Sequence, residues 1–203
     1  MAESGLTLAS LTRDPSVTSR GVASLLNRLS LAEAITAVRS LSGRRVQAVL
    51  WRLAAENPAV SVADLVPRDH PPMRPVVFHG KNSLPAFTHF EKICCRPPSS
   101  THANVLWGYN ETPIRRLIGP GYYVVQDMAD NPFGGAAFDY RSLPATRPPG
   151  WPPIRANSVG LSRFIYNDTV DYVRRLGDDV FIGSATRKQR ELGNFFILVR
   201  QFG

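Results

Sequence analysis

Cysteine is nearly absent from this chain of 203 residues: there are two, and they are neighbours, Cys94 and Cys95. Adjacent cysteines in a strand point to opposite faces, and a disulfide between them is strained. A disulfide framework of the secreted kind is therefore excluded, and a reducing, cytoplasmic compartment is expected. Long apolar runs are missing as well. The longest is Phe195 to Val199, far short of the ~20 residues of a membrane-spanning helix. Met1 to Asp14 carries Glu3 and no basic stretch, so a secretory signal is not expected either.

Catalytic and ligand motifs are also lacking. His79, His89, Cys94, Cys95 and His102 match no zinc spacing. Gly119-Pro120-Gly121 and Gly134-Gly135 precede strands instead of helices, so they are turns and not phosphate loops. No Gly-x-Ser-x-Gly elbow occurs. No metal and no cofactor are expected. The formal net charge is +8, and 21 of the 24 basic residues are arginine. The arginines are diffuse: the pairs at 44–45, 115–116 and 174–175 lie far apart among acids. Without a basic helix or an RNA-recognition pattern, nucleic-acid binding is disfavoured.

What is present divides the chain in two. Up to residue 65 the apolar spacing is helical. Asp14-Pro15 reads as a helix start, with Val22, Leu25, Leu26 and Leu29 following. Ser30 and Glu33 form a capping box opening a second helix. A third carries Val46, Val49, Leu50 and Leu53 on one face. Such faces must cover something, either a sheet or a partner, which includes a second copy in a homodimer. Residues 66–75 hold four prolines, a stiff connector that cannot continue a helix.

From 76 to 203 the period becomes that of strands. About eight short strands are expected: Val76–His79, Ala86–Cys95, Val105–Tyr109, Tyr122–Asp127, Ala136–Arg141, Arg163–Tyr166 and a hairpin of Val180–Thr186 with Asn194–Gln201. Its two strands are joined by a charged loop, Arg187 to Gly193. Thr112 to Leu117 reads as a helical turn, and Leu176–Val180 as a tight turn. Strands this numerous, seldom separated by full helices, argue for an α+β protein. Its N-terminal helices pack on a strongly bent antiparallel sheet or a small closed barrel.

One set of strand residues is both aromatic and polar: Trp107, Tyr109, Tyr123, Tyr140 and Tyr166, with Asn157 and Arg163 nearby. A barrel pocket with an apolar lining and a few converging polar groups would use such residues. Arg141 or Arg163 could meet a ligand carboxylate bidentately. The implied ligand is small and hydrophobic, with a carboxylate or a hydroxyl. A catalytic alternative draws on His89 with Glu91, which share a strand face, or on Asp139 beside Tyr140. Alternation groups Tyr140 with Phe138 and Ala136, which favours Tyr140 facing inward and Asp139 outward.

The run Phe164 to Gly183, followed by Phe195 to Arg200, combines an aromatic before a polar turn, an Arg-rich strand, an acidic hairpin, an apolar strand ending in glycine and a closing Phe-rich strand. In this it resembles the final strands of uncharacterised bacterial lipocalin-like (calycin-type) β-barrel domains. The Gly-x-Trp of a first lipocalin strand is absent. The resemblance implies a barrel that holds a small apolar molecule, and some related barrels catalyse isomerisation or cyclisation.

Overall fold

The computed structural model describes residues 7–41, 43–85, 88–98, 104–128 and 130–203; His102 lies outside them. Eight strands follow one another around a closed antiparallel barrel. They are β1 (Val76–Asn82), β2 (His89–Cys95), β3 (Val105–Glu111), β4 (Tyr123–Asp127), β5 (Ala136–Asp139), β6 (Thr169–Arg175), β7 (Val180–Arg187) and β8 (Arg190–Phe202). Each pairs with the next, and β8 closes on β1 over Val76↔Phe202 to Asn82↔Phe196. Closure leaves no sheet edge unpaired.

Alternation sorts the side chains into an inner and an outer set. Phe78, Cys94, Leu106, Tyr123, Phe138, Phe181 and Leu198 form the inner core. Three inward glycines, Gly80, Gly108 and Gly183, each face an aromatic on the neighbouring strand: Phe90, Tyr123 and Phe196. The ring lies over the glycine, so a Cβ there would fall within 2.0–2.6 Å of it. A small residue beside a large one is how a narrow barrel accommodates its rings.

Two coverings clothe the outside. The helices α1 (Leu8–Leu11), α2 (Ser19–Leu26), α3 (Leu31–Arg39) and α4 (Arg44–Leu53) set Val38, Leu41 and Leu50 against Ile182, Ile197 and Val199. Burying a leucine such as Leu50 in this way contributes about 2 kcal/mol. The Ser30–Glu33 box opens α3, with the Glu33 carboxylate accepting from Ser30 N at 2.8 Å. Asp14-Pro15 does not open a helix. Asp14 accepts from Ser16 N and Oγ in a local turn, and α2 is capped by Thr18 instead. On the opposite side Trp151, from the Pro-rich segment 144–157, packs on Cys95, Trp107, Tyr109 and Tyr122.

The two ends of the barrel differ. At one end α5 (Val62–Leu65) is a plug. Its Val62, Leu65 and Val66 side chains join the inner core. Asp127 Oδ1 accepts from Val62 N at 2.6 Å, Arg175 pairs with Asp64 at 2.6 Å, and Arg200 donates to the Asp64 and Leu65 carbonyls. At the other end the loops β1–β2, β3–β4, β5–β6 and β7–β8 surround a mouth. Two single-turn helices sit there, α6 (Arg115–Ile118) and α7 (Ser162–Ile165), tied by Ser162 Oγ donating to Ile118 O at 2.6 Å. Residues 163–165 are thus helical and not a strand. Phe164 is exposed there, and the next strand begins at Thr169 after Asp168 adopts a left-handed φ of 58°. The last hairpin is tighter than its charged loop suggested. Lys188 and Gln189 both take positive φ, 52° and 61°, so β7 and β8 pair to within two residues of each other, as a type I′ turn permits.

Candidate functional site

A cavity of about 260 Å³ opens at the mouth. Its wall is mainly apolar, with Phe90, Ile114, Ile118, Ile165 and Phe196 among the lining residues. Four polar residues gather at its foot: Lys92 of β2, Asn110 of β3, Tyr140 just after β5, and Asp171 of β6. Lys92 and Asn110 are cross-strand partners on β2 and β3, Tyr140 and Asp171 come from the adjacent β5 and β6, and inward alternation points the two pairs at one another.

Lys92 is the centre of this group. Its side chain is 1% exposed, yet it carries the only ammonium in the inner face among the described residues. Nζ donates to Asp171 Oδ2 at 2.9 Å, to Tyr140 OH at 2.5 Å and to Asn110 Oδ1 at 3.3 Å. Its three protons thus have three acceptors. Rings surround it: Phe138 at 4.6 Å, Tyr123 and Tyr140 at 4.9 Å, and Phe196 at 5.0 Å from Nζ to centroid. Ring faces stabilise a cation that has lost its water. The glycine–aromatic pairs place two of those rings, Tyr123 and Phe196.

Burial lowers the Lys92 pKa, against the opposing pull of the Asp171 carboxylate. The same burial, with Asp171 adding to it, holds the Tyr140 hydroxyl well above its ordinary value. Tyr140 therefore remains a neutral donor and acceptor. Asn110 is oriented by its Nδ2 donating to Gly121 O at 2.9 Å, which turns Oδ1 toward Lys92. Tyr166 stacks on Tyr140 at 5.3 Å and 18°. It also lies over Gly121, whose φ of 54° and missing Cβ admit the ring. Thr112 lines the same cavity, and its Oγ1 is buried without a hydrogen-bond partner among the described residues. An unpaired buried hydroxyl is costly.

The expected site residues are dispersed. Tyr140 and Tyr166 line the cavity. Tyr123 faces inward but lies deeper, fully buried against Cys94 and Phe138. Trp107 and Tyr109 face outward under Trp151, because Gly108 holds the inward position between them. Asn157 is buried, donating to the Tyr122 and Tyr140 carbonyls at 2.7 Å, and so fastens a loop. Arg163 is exposed on the rim, its guanidinium 4.6 Å from the Phe164 ring. Asp139 points outward and holds Arg141 by two 2.8 Å bonds.

His89 and Glu91 do share the outer face, but they do not meet. His89 Nε2 lies 3.4 Å from Arg39 O, whereas Glu91 pairs with His79 at 3.1 Å. Among the described residues no cluster of three His, Cys, Asp or Glu could hold a metal ion. Lys92, Asn110, Thr112 and Asp171 were not among the expected residues. Their signal was available in the alternation Phe90–Lys92–Cys94, where a lone charge interrupts an apolar face, and again at Asp171 ahead of Val173.

No family model, curated protein or solved structure matches the chain.

Proposed function

We propose that this lipocalin-like barrel binds a small, mostly apolar molecule in its mouth and holds that molecule's carboxylate or carbonyl oxygen at Lys92. The supporting observation is an ammonium at the foot of an apolar cavity. Asn110 makes the longest of the three Lys92 bonds, at 3.3 Å, and is the contact a ligand oxygen would displace. Thr112 Oγ1 would pair with a second ligand oxygen or hydroxyl. A cavity of ~150 Å³ admits benzene, so 260 Å³ suits a ligand of roughly ten to twelve non-hydrogen atoms. Two buried, unbridged thiols accord with a cytoplasmic setting.

The test is displacement of a hydrophobic fluorescent probe. Decanoic acid should compete at least ~10-fold better than decane, the margin of one charge-assisted hydrogen bond. In Lys92→Met/Asp171→Asn that preference should vanish while the probe still binds. Equal competition by acid and alkane in the unaltered protein contradicts the reading.

A second reading is catalytic, and one observation favours it: Lys92, Tyr140 and Asp171 share protons within 2.5–3.2 Å beside the cavity. Such a group could move a proton next to a ligand carbonyl. Incubating an apolar methyl ketone with the protein in heavy water would show it. Faster deuterium uptake at the α-carbon that is lost in Tyr140→Phe supports catalysis, and uptake at the buffer rate excludes it for that substrate.

A further inference from the structure

The large apolar side chains left exposed are concentrated at the mouth. Leu84 lies on the β1–β2 loop, Leu117 on β3–β4, Leu161, Phe164 and Ile165 on β5–β6, and Leu192 at the β7–β8 turn. All four mouth loops contribute, so the exposed residues form a rim around the cavity. Of these six, Leu117 and Phe164 protrude most, at 68% and 62% exposure, and Val159 on the same β5–β6 loop is 66% exposed. Scattered surface leucines need no explanation, but a ring of them at one end marks a contact surface.

Charge identifies what the rim meets. Arg116, Arg163, Lys188 and Arg190 stand on the same loops, exposed and outside every ion pair among the described residues. Of the acids there, Glu111 is taken by Arg115 at 2.7 Å, which leaves Asp168 and Glu191 against four cations. Protruding apolar tips ringed by cations complement a bilayer surface, with acyl chains inside and phosphates at its border. The guanidinium of Arg163 over the Phe164 ring joins the two functions in one pair, ring toward the chains and cation toward the phosphates.

We propose that the mouth of the barrel docks on an anionic lipid surface, with Leu117 and Phe164 entering the acyl layer and Arg116, Arg163, Lys188 and Arg190 at the level of the phosphates. The orientation faces the cavity toward the bilayer, so an apolar ligand passes between them without crossing water. Docking itself depends on the rim alone; only that exchange rests on the ligand-binding reading.

Flotation with vesicles tests it, using phosphatidylcholine alone and phosphatidylcholine with a quarter phosphatidylglycerol. The protein should float with the anionic vesicles at least ~10-fold more than with the neutral ones, and 0.5 M salt should release it. Leu117→Asp/Phe164→Asp should abolish flotation. Neither side chain lines the cavity, so that variant should keep its circular dichroism spectrum and its probe displacement. Loss of probe displacement in the unaltered protein would count against ligand binding and leave the flotation result standing. Docking is overturned if the protein floats with neither vesicle, if it floats with both alike, or if the double variant floats unchanged. Concentration-dependent self-association abolished by the same variant, without flotation, would assign the rim to a second copy of the chain.

Discussion

Lys92 is the residue on which the inner face turns. Removing one partner of a buried pair leaves the other charge without compensation, at a cost of about 3–5 kcal/mol. Lys92→Met should therefore lower the unfolding free energy read from urea titration by that amount. Lys92→Met/Asp171→Asn should recover much of it, because the orphaned carboxylate is gone. Equal losses in the single and the double variant would mean that the unpaired Asp171 carboxylate is not the source of the cost.

The two thiols make a separate prediction. Burial pushes Cys94 and Cys95 up to about 12, from an ordinary 9.0. The unfolded chain releases these protons near pH 9, and the folded chain holds them until about 12. The folded state therefore binds more protons in that interval, and stability falls as pH rises through it. The slope is about 1.4 kcal/mol per pH unit for each thiol. Buried Tyr123 and Tyr140, also shifted upward, add the same sign above pH 10. Guanidinium unfolding at pH 8.5 and 10.5 checks this; the drop should shrink in Cys94→Ala/Cys95→Ala, and a flat profile contradicts it.

Among the elements, the glycine–aromatic pairs decide how much space the barrel interior has. A Cβ on Gly183 would lie 2.0 Å from the Phe196 ring, and that ring is part of both the cavity wall and the Lys92 cage. Gly183→Ala should cost about 1–3 kcal/mol by overpacking, and Phe196→Leu in the same chain should restore part of it. The plug gives a second test. Leu65 is fully buried, so Leu65→Ala should cost about 2–5 kcal/mol in thermal unfolding, with no change in ligand preference at the far end. Element types were largely legible in the sequence. The capping box at Ser30–Glu33, the prolines of 66–75 and the strand alternation each have a local cause. What was not legible has a tertiary cause. The turn at 163–165 is helical because Phe164 need not be buried and Arg187 holds its carbonyl at 3.1 Å. Asp14-Pro15 satisfies a helix-start rule, but Asp14 spends its carboxylate on Ser16.

For the whole molecule, a closed barrel follows from eight strands and a pairing of β1 with β8 that no local pattern encodes. The aromatic set split because a barrel wall has two faces, and both can be apolar when one is covered by helices and a Pro-rich loop. Trp107 and Tyr109 serve the outer cover, and Tyr140 and Tyr166 the mouth. Lys92 and Asp171 are not legible locally, because a charge in an alternating strand reads as solvated until closure brings its partner across the interior.

The most direct test uses the scarcity of lysine. Lys81, Lys92 and Lys188 are the only three in the chain, so a spectrum with ¹⁵N at lysine Nζ is simple to assign. Titration with decanoate should move the Lys92 resonance and leave Lys81 and Lys188 where they are. If decanoate displaces the fluorescent probe while the Lys92 signal stays fixed, the ligand lies elsewhere and the Lys92 cavity is not the site used.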